Sequence, residues 1–170
     1  MNKVLQTTLG ELIFDKKELI FAQSHMKVEE VAEIMKKKDI LSVPVWDEDK
    51  RQYIGLVDMF EIMRFAIAGI TEEQVFRDDL FTKFQWSEET VGELVSKSSR
   101  AQRICVFNTT DPLQAALHLF SESDHRGLVR IPKDETTFQS SYRVVSQMDI
   151  IRYLFKNWGM SYCLYPNEVI

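Results

Sequence analysis

Two six-residue words, TLGELI (Thr8–Ile13) and TVGELV (Thr90–Val95), stand 82 positions apart and share four letters. An internal repeat constrains a fold more than any single local motif, because both copies must adopt the same arrangement of elements. Two further pairs follow in the same order. VEEVAEIMKKKD (Val28–Asp39) falls on LQAALHLFSESD (Leu113–Asp124) at an offset of 85, and EIMRFAI (Glu61–Ile67) on DIIRYLF (Asp149–Phe155) at 88. An offset that only grows is what short loop insertions produce, so the chain reads as one unit written twice.

Each copy predicts the same elements. The opening words are short helical turns with a Thr-x-x-Glu that can form a capping box. A short apolar strand follows, Leu19–Ala22 or Ile104–Phe107. An amphipathic helix comes next, with Val28, Val31, Ala32 and Met35 on one face in the first copy and Leu113, Ala116, Leu117 and Phe120 in the second. Asp111 and Pro112 suit the cap and first position of the second-copy helix; Met26 and Lys27 signal the first-copy start more weakly. Two strands then flank a polar loop, Leu41–Trp46 with Tyr53–Val57 and Gly127–Ile131 with Tyr142–Val145. A last helix starts near Glu61 or Asp149. The expected fold class is α+β, helix-β-α-β-β-α in each copy. A unit this small leaves much apolar surface open by itself, so the two copies should pack together. The expected divisions are 7–70 and 89–158 for the copies, 71–88 for a linker with a helix near 71–82, and 159–170 for a tail able to dock on the body or on a partner.

The composition narrows the function. With 45% hydrophobic residues and a net charge of −5, the chain can build a core but has no global attraction for nucleic acid or anionic lipid. No stretch approaches the ~20 apolar residues needed to span a bilayer, and the opening residues are too polar for a signal peptide. Cys105 and Cys163 read as free thiols of a reducing compartment, cytoplasm or nucleus. His25, His118 and His125 have no metal-ligand spacing, so no metal is expected. There is no glycine-rich phosphate loop and no nucleophile elbow, so no enzymatic activity is expected.

Four stretches carry candidate chemistry. In SQMD (Ser146–Asp149) a carboxylate at a helix start can accept both hydroxyls of a ribose diol, as an acidic residue does in dinucleotide folds. Ser146 can donate to a phosphate or to the sugar, and the same two residues can equally cap the helix. His125 and Arg126 offer donors suited to phosphate, or form a solvated strand edge. Arg130 shares a face with Arg126, opposite Val129. KSSRAQR (Lys97–Arg103) is a basic stretch in an acidic chain, either an attractor of anions or a solvated loop. DMFE (Asp58–Glu61) is the first-copy counterpart of SQMD. Its two carboxylates repel a phosphate and suit a cation or a neutral ligand better.

LSVPVWDEDKRQYIGLVDMFEIM (Leu41–Met63) and HRGLVRIPKDETTFQSSYRVVSQMDII (His125–Ile151) each run strand, polar turn, strand, helix start. In this form the chain resembles, from about Thr7 to Asn157, a tandem pair of CBS domains, the module named for cystathionine β-synthase and often called a Bateman module. Its HR and VSxxDI words are also similar to those of gamma subunits of the AMP-activated protein kinase. The resemblance implies two pseudo-symmetric repeats meeting across their sheets and a non-catalytic regulatory module. It also implies an adenosine-containing ligand (AMP, ADP, ATP or S-adenosylmethionine), energy sensing, a homodimer, and a partner enzyme or kinase. The resemblance points to Ser146, Asp149, His125 and Arg126 as ligand-binding, the strand and the basic stretch add Arg130, Val129 and Arg103 as candidates, and Asp58 and Glu61 mark a degenerate second cleft. The competing expectation is a ligand-free scaffold for protein assembly.

Overall fold

The computed structural model describes residues 7–68, 88–122, 125–132 and 141–158. The expected linker helix near 71–82 and the tail from 159 lie outside the described residues. The elements run α1 (Leu9–Leu12), β1 (Ala22–Gln23), α2 (Val28–Lys38), β2 (Ser42–Asp47), β3 (Gln52–Asp58), α3 (Met59–Ala68), α4 (Val91–Lys97), β4 (Val106–Asn108), α5 (Leu113–Glu122), β5 (Arg126–Arg130), β6 (Tyr142–Ser146) and α6 (Gln147–Trp158). They form two matching three-stranded sheets, β1-β2-β3 and β4-β5-β6. In each, the first pair is parallel and the second antiparallel. The expected α+β class and the doubled order of elements are borne out.

The described residues fall into two compact units, those within Ile20–Ile104 and those within Met1–Leu19 and Cys105–Ile170. The compact units are therefore offset from the sequence repeats by one helix, because each lead-in helix packs on the body of the other copy. In the first unit Val91, Leu94 and Val95 of α4 join Val31, Met35, Val43, Val45, Val57 and Ile62 in one core. In the second, Leu9 and Ile13 join Phe107, Leu113, Ala116, Phe120, Val145 and Ile150.

The repeated Thr-x-Gly-Glu words make this docking possible. Thr8 and Thr90 cap their helices by accepting the N–H of Glu11 and Glu93, both at 3.3 Å. Glu93 completes a capping box by accepting the Thr90 N–H at 2.8 Å. The glycines let backbone meet backbone: Gly10 donates its N–H to Thr109 O at 2.8 Å and Gly92 to Ser24 O at 2.9 Å. A Cβ on Gly92 would stand 2.8 Å from that carbonyl oxygen. Asp111 does not cap α5 with its side chain; its carboxylate closes the preceding turn by accepting the Asn108 N–H at 2.7 Å.

Candidate functional site

Strand β6 runs directly into α6, so Ser146 and Asp149 sit where the strand hands over to the helix. Asp149 Oδ2 accepts the Ser146 N–H at 2.8 Å and its O–H at 2.7 Å. The capping arrangement is thus formed. A third donor reaches the same oxygen: Lys16 Nζ lies 2.6 Å from it and 2.6 Å from Val144 O. The Asp149 side chain is 13% exposed and that of Lys16 28%. No donor among the described residues reaches Asp149 Oδ1, so one carboxylate oxygen keeps its accepting capacity.

Pairing of β5 with β6 sets Arg126 directly across from Ser146. His125 lies exposed beside it, and its carbonyl accepts the Gln147 N–H at 3.1 Å. The structure therefore brings Ser146, Asp149, His125 and Arg126 to one end of the sheet, with Lys16 added. Arg130 is exposed at the opposite end of β5, across from Tyr142; four residues of strand separate it from Arg126 by about 13 Å. Val129 has no exposure and lies in the core with Phe107 and Val145. Arg103 is exposed in the turn after α4, within the other compact unit.

The first copy places Asp58 and Glu61 at the corresponding strand-to-helix junction. Asp58 Oδ1 accepts the Glu61 N–H at 2.9 Å and so caps α3. Glu61 is 4% exposed, and its Oε2 accepts the Ser98 O–H at 2.8 Å. The Arg100 guanidinium lies 3.3 Å from Asp58 Oδ2 and 4.0 Å from Glu61 Oε1, with its carbon 4.9 Å from the centre of the Phe60 ring. Arg64 stands 3.7 Å from Glu61 Oε1. The basic stretch Lys97–Arg103 is thereby anchored on the acidic pair of the first copy. Opposite Asp58 stands Ser42, where the second copy has Arg126.

Lys16, Ser98 and Arg100 are what the sequence pattern did not assign to these junctions. Lys16 and Arg100 each follow a lead-in helix by a few residues, and that matching position was the available signal. Among the described residues no group of His, Cys, Asp and Glu is arranged to hold a metal ion. No helix among them is long and apolar enough to cross a membrane.

Residues 9–68 match the family model of the CBS domain. No curated protein matches the sequence. Solved structures share its fold. The CBS domain of a CBS-domain-containing membrane protein from Sphaerobacter thermophilus aligns with 89% of this chain and 90% of its own, at 12% identity and a TM-score of 0.62. The CBS domain pair of protein MJ0100, solved with 5′-methylthioadenosine and S-adenosyl-L-methionine, covers 88% and 96% at 19% identity and a TM-score of 0.61. CBSX2, solved with AMP, covers 88% and 96% at 17% identity and a TM-score of 0.59. The chain thus has the fold of CBS domain pairs, as its two copies implied, and its first copy matches the CBS-domain model.

Proposed function

We propose that the chain is a non-catalytic regulatory module that binds an adenosine-containing ligand at the β6–α6 junction of its second copy. The observation that carries this is the unequal charge of the two junctions. The second copy sets one carboxylate among Lys16, Arg126 and His125, a setting that accepts a diol and tolerates a phosphate. The first copy sets two carboxylates there, Asp58 and Glu61, and a second carboxylate disfavours an anion. The Asp149 carboxylate would take the ribose, Ser146 and Arg126 would lie nearest the phosphates, and His125 would add a donor. Arg130, Arg103 and Val129 would play no direct part. The bound ligands of MJ0100 and CBSX2 support the choice of an adenosine compound. An AMP, ADP or ATP ligand would make the module an energy sensor for a partner enzyme or kinase in the cytoplasm or nucleus.

The test is thermal unfolding with AMP, ADP, ATP or S-adenosylmethionine, beside an Asp149→Ala variant. A ligand at ~100 times its dissociation constant adds ~2.7 kcal/mol, or roughly 5–10 °C for a chain of this size. The shift should vanish in Asp149→Ala. A chain that responds to none of the four at millimolar concentration is better read as a scaffold.

Assembly belongs to the same proposal. Helix α3 exposes Phe60, Met63 and Ile67, and α6 exposes Met148, Ile151 and Phe155 at the matching positions. Apolar stripes are self-complementary, which is what a two-fold contact with a second copy of the chain requires.

A further inference from the structure

We propose that Lys16 is a resident competitor for the Asp149 carboxylate, so that a diol ligand must open a clasp already made by the chain. This rests on the adenosine reading of the junction and says how binding there is regulated.

Lys16 is held from several sides. Its N–H donates to Ile13 O at 3.0 Å, and its carbonyl accepts from Arg143 Nε at 3.3 Å. The side chain then reaches along the edge strand β6 to Val144 O and to Asp149 Oδ2, both at 2.6 Å. With the Ser146 N–H and O–H, Oδ2 already carries three donors. A carboxylate that grips a cis-diol uses both oxygens, one for each hydroxyl. Only Oδ1 has room, so a two-handed grip requires the Lys16 ammonium to leave Oδ2.

The other copy shows what a fixed clasp looks like. Arg100 donates to Asp58 at 3.3 Å, lies 4.0 Å from Glu61 Oε1 and sits over the Phe60 ring, while Ser98 holds the other oxygen of the buried Glu61. Opening that clasp would take a cation from beside a carboxylate that is 4% exposed, where water cannot easily replace it. Lys16 offers a single ammonium on a side chain that is 28% exposed, and water can replace it there. The two clasps occupy matching places in the repeat, and they differ in how readily they open. Once displaced, the Lys16 side chain no longer ties residues 13–18 to β6 and α6, and that loosened segment becomes the part of the chain that registers the ligand.

The experiment is titration calorimetry of the full chain with adenosine and with AMP, wild type beside Lys16→Met, together with amide hydrogen exchange over residues 13–18. Lys16→Met should bind adenosine about twofold to fivefold more tightly, the worth of a part-exposed ion pair. AMP should gain less, because a positive charge that draws the phosphate is lost with the competitor. In the wild type, saturating adenosine should speed exchange at residues 13–18, a readout that needs no variant. Equal or weaker adenosine binding by Lys16→Met overturns the competitor role and leaves the adenosine reading standing. So does wild-type binding with unchanged exchange. Binding of neither compound by either chain overturns both.

Discussion

Glu61 and Asp149 occupy the same place in the repeat and live under different constraints. Glu61 is buried, with Ser98 on one oxygen and Arg100 and Arg64 near the other. Asp149 is better exposed and holds Lys16 through one oxygen. Removing the cation should therefore cost unequal amounts. Arg100→Ala removes the cation shared by Asp58 and the buried Glu61 and is expected to lower stability by about 2–3 kcal/mol, somewhat under the cost of breaking a fully buried pair. Lys16→Met is expected to cost about 1 kcal/mol or less, as part-exposed pairs do. Urea unfolding midpoints of the two variants measure the difference, and the order reverses if the exposures do not govern it. At this scale the sequence was only partly legible. Asp149, Ser146 and the acidic pair were visible from the register of the repeat. Their cations were not, because Lys16 and Arg100 meet carboxylates far along the chain, and nothing in local spacing encodes such a meeting.

The helices followed their patterns closely. The apolar stripe of α2 and that of α5 were written at helical spacing, and both bury the residues so marked except Ala32 and Leu117, which are partly buried. The strands also fell within a few residues of their expected places, since most are short, rich in β-branched residues and bounded by turn residues. Asp111 was misjudged because a carboxylate just before a proline can close a turn as well as cap a helix. Helix α4 carries a testable consequence of its capping box. Thr90, through its N–H and then its O–H, holds the Glu93 carboxyl below its ordinary range. A carboxyl lowered on folding contributes stability above its unfolded value and loses it as the pH falls through the folded one. Glu93→Gln should therefore lower the unfolding midpoint at neutral pH, and the gap from the wild type should close as the solution is acidified below the carboxylate range. A pH-independent gap would mean that the side chain acts through packing instead.

For the whole molecule, the doubling was the most legible property and the exchange of lead-in helices the least. Three matched words reveal that a unit is repeated, but not which copy of a helix lies on which body. That choice is made by long-range contacts, Gly10 on Thr109 and Gly92 on Ser24, which look alike in sequence whichever way they are paired. The exposed stripes of α3 and α6 set a prediction at the same scale. Charging one of them with Ile151→Glu and Phe155→Glu together should turn the proposed dimer into a monomer in sedimentation. Those positions are exposed in the single chain, so its fold should be retained, and an unchanged sedimentation coefficient would remove the stripe of α6 from the interface.

The exchanged helices also bear on how such a chain can be taken apart. A cut ahead of Glu88 separates the two copies as the sequence writes them, yet it leaves each fragment without the helix that closes its core: the first without Val91, Leu94 and Val95, the second without Leu9 and Ile13. Each half carries the other's missing piece, so duplication here produced mutual dependence in place of two autonomous modules.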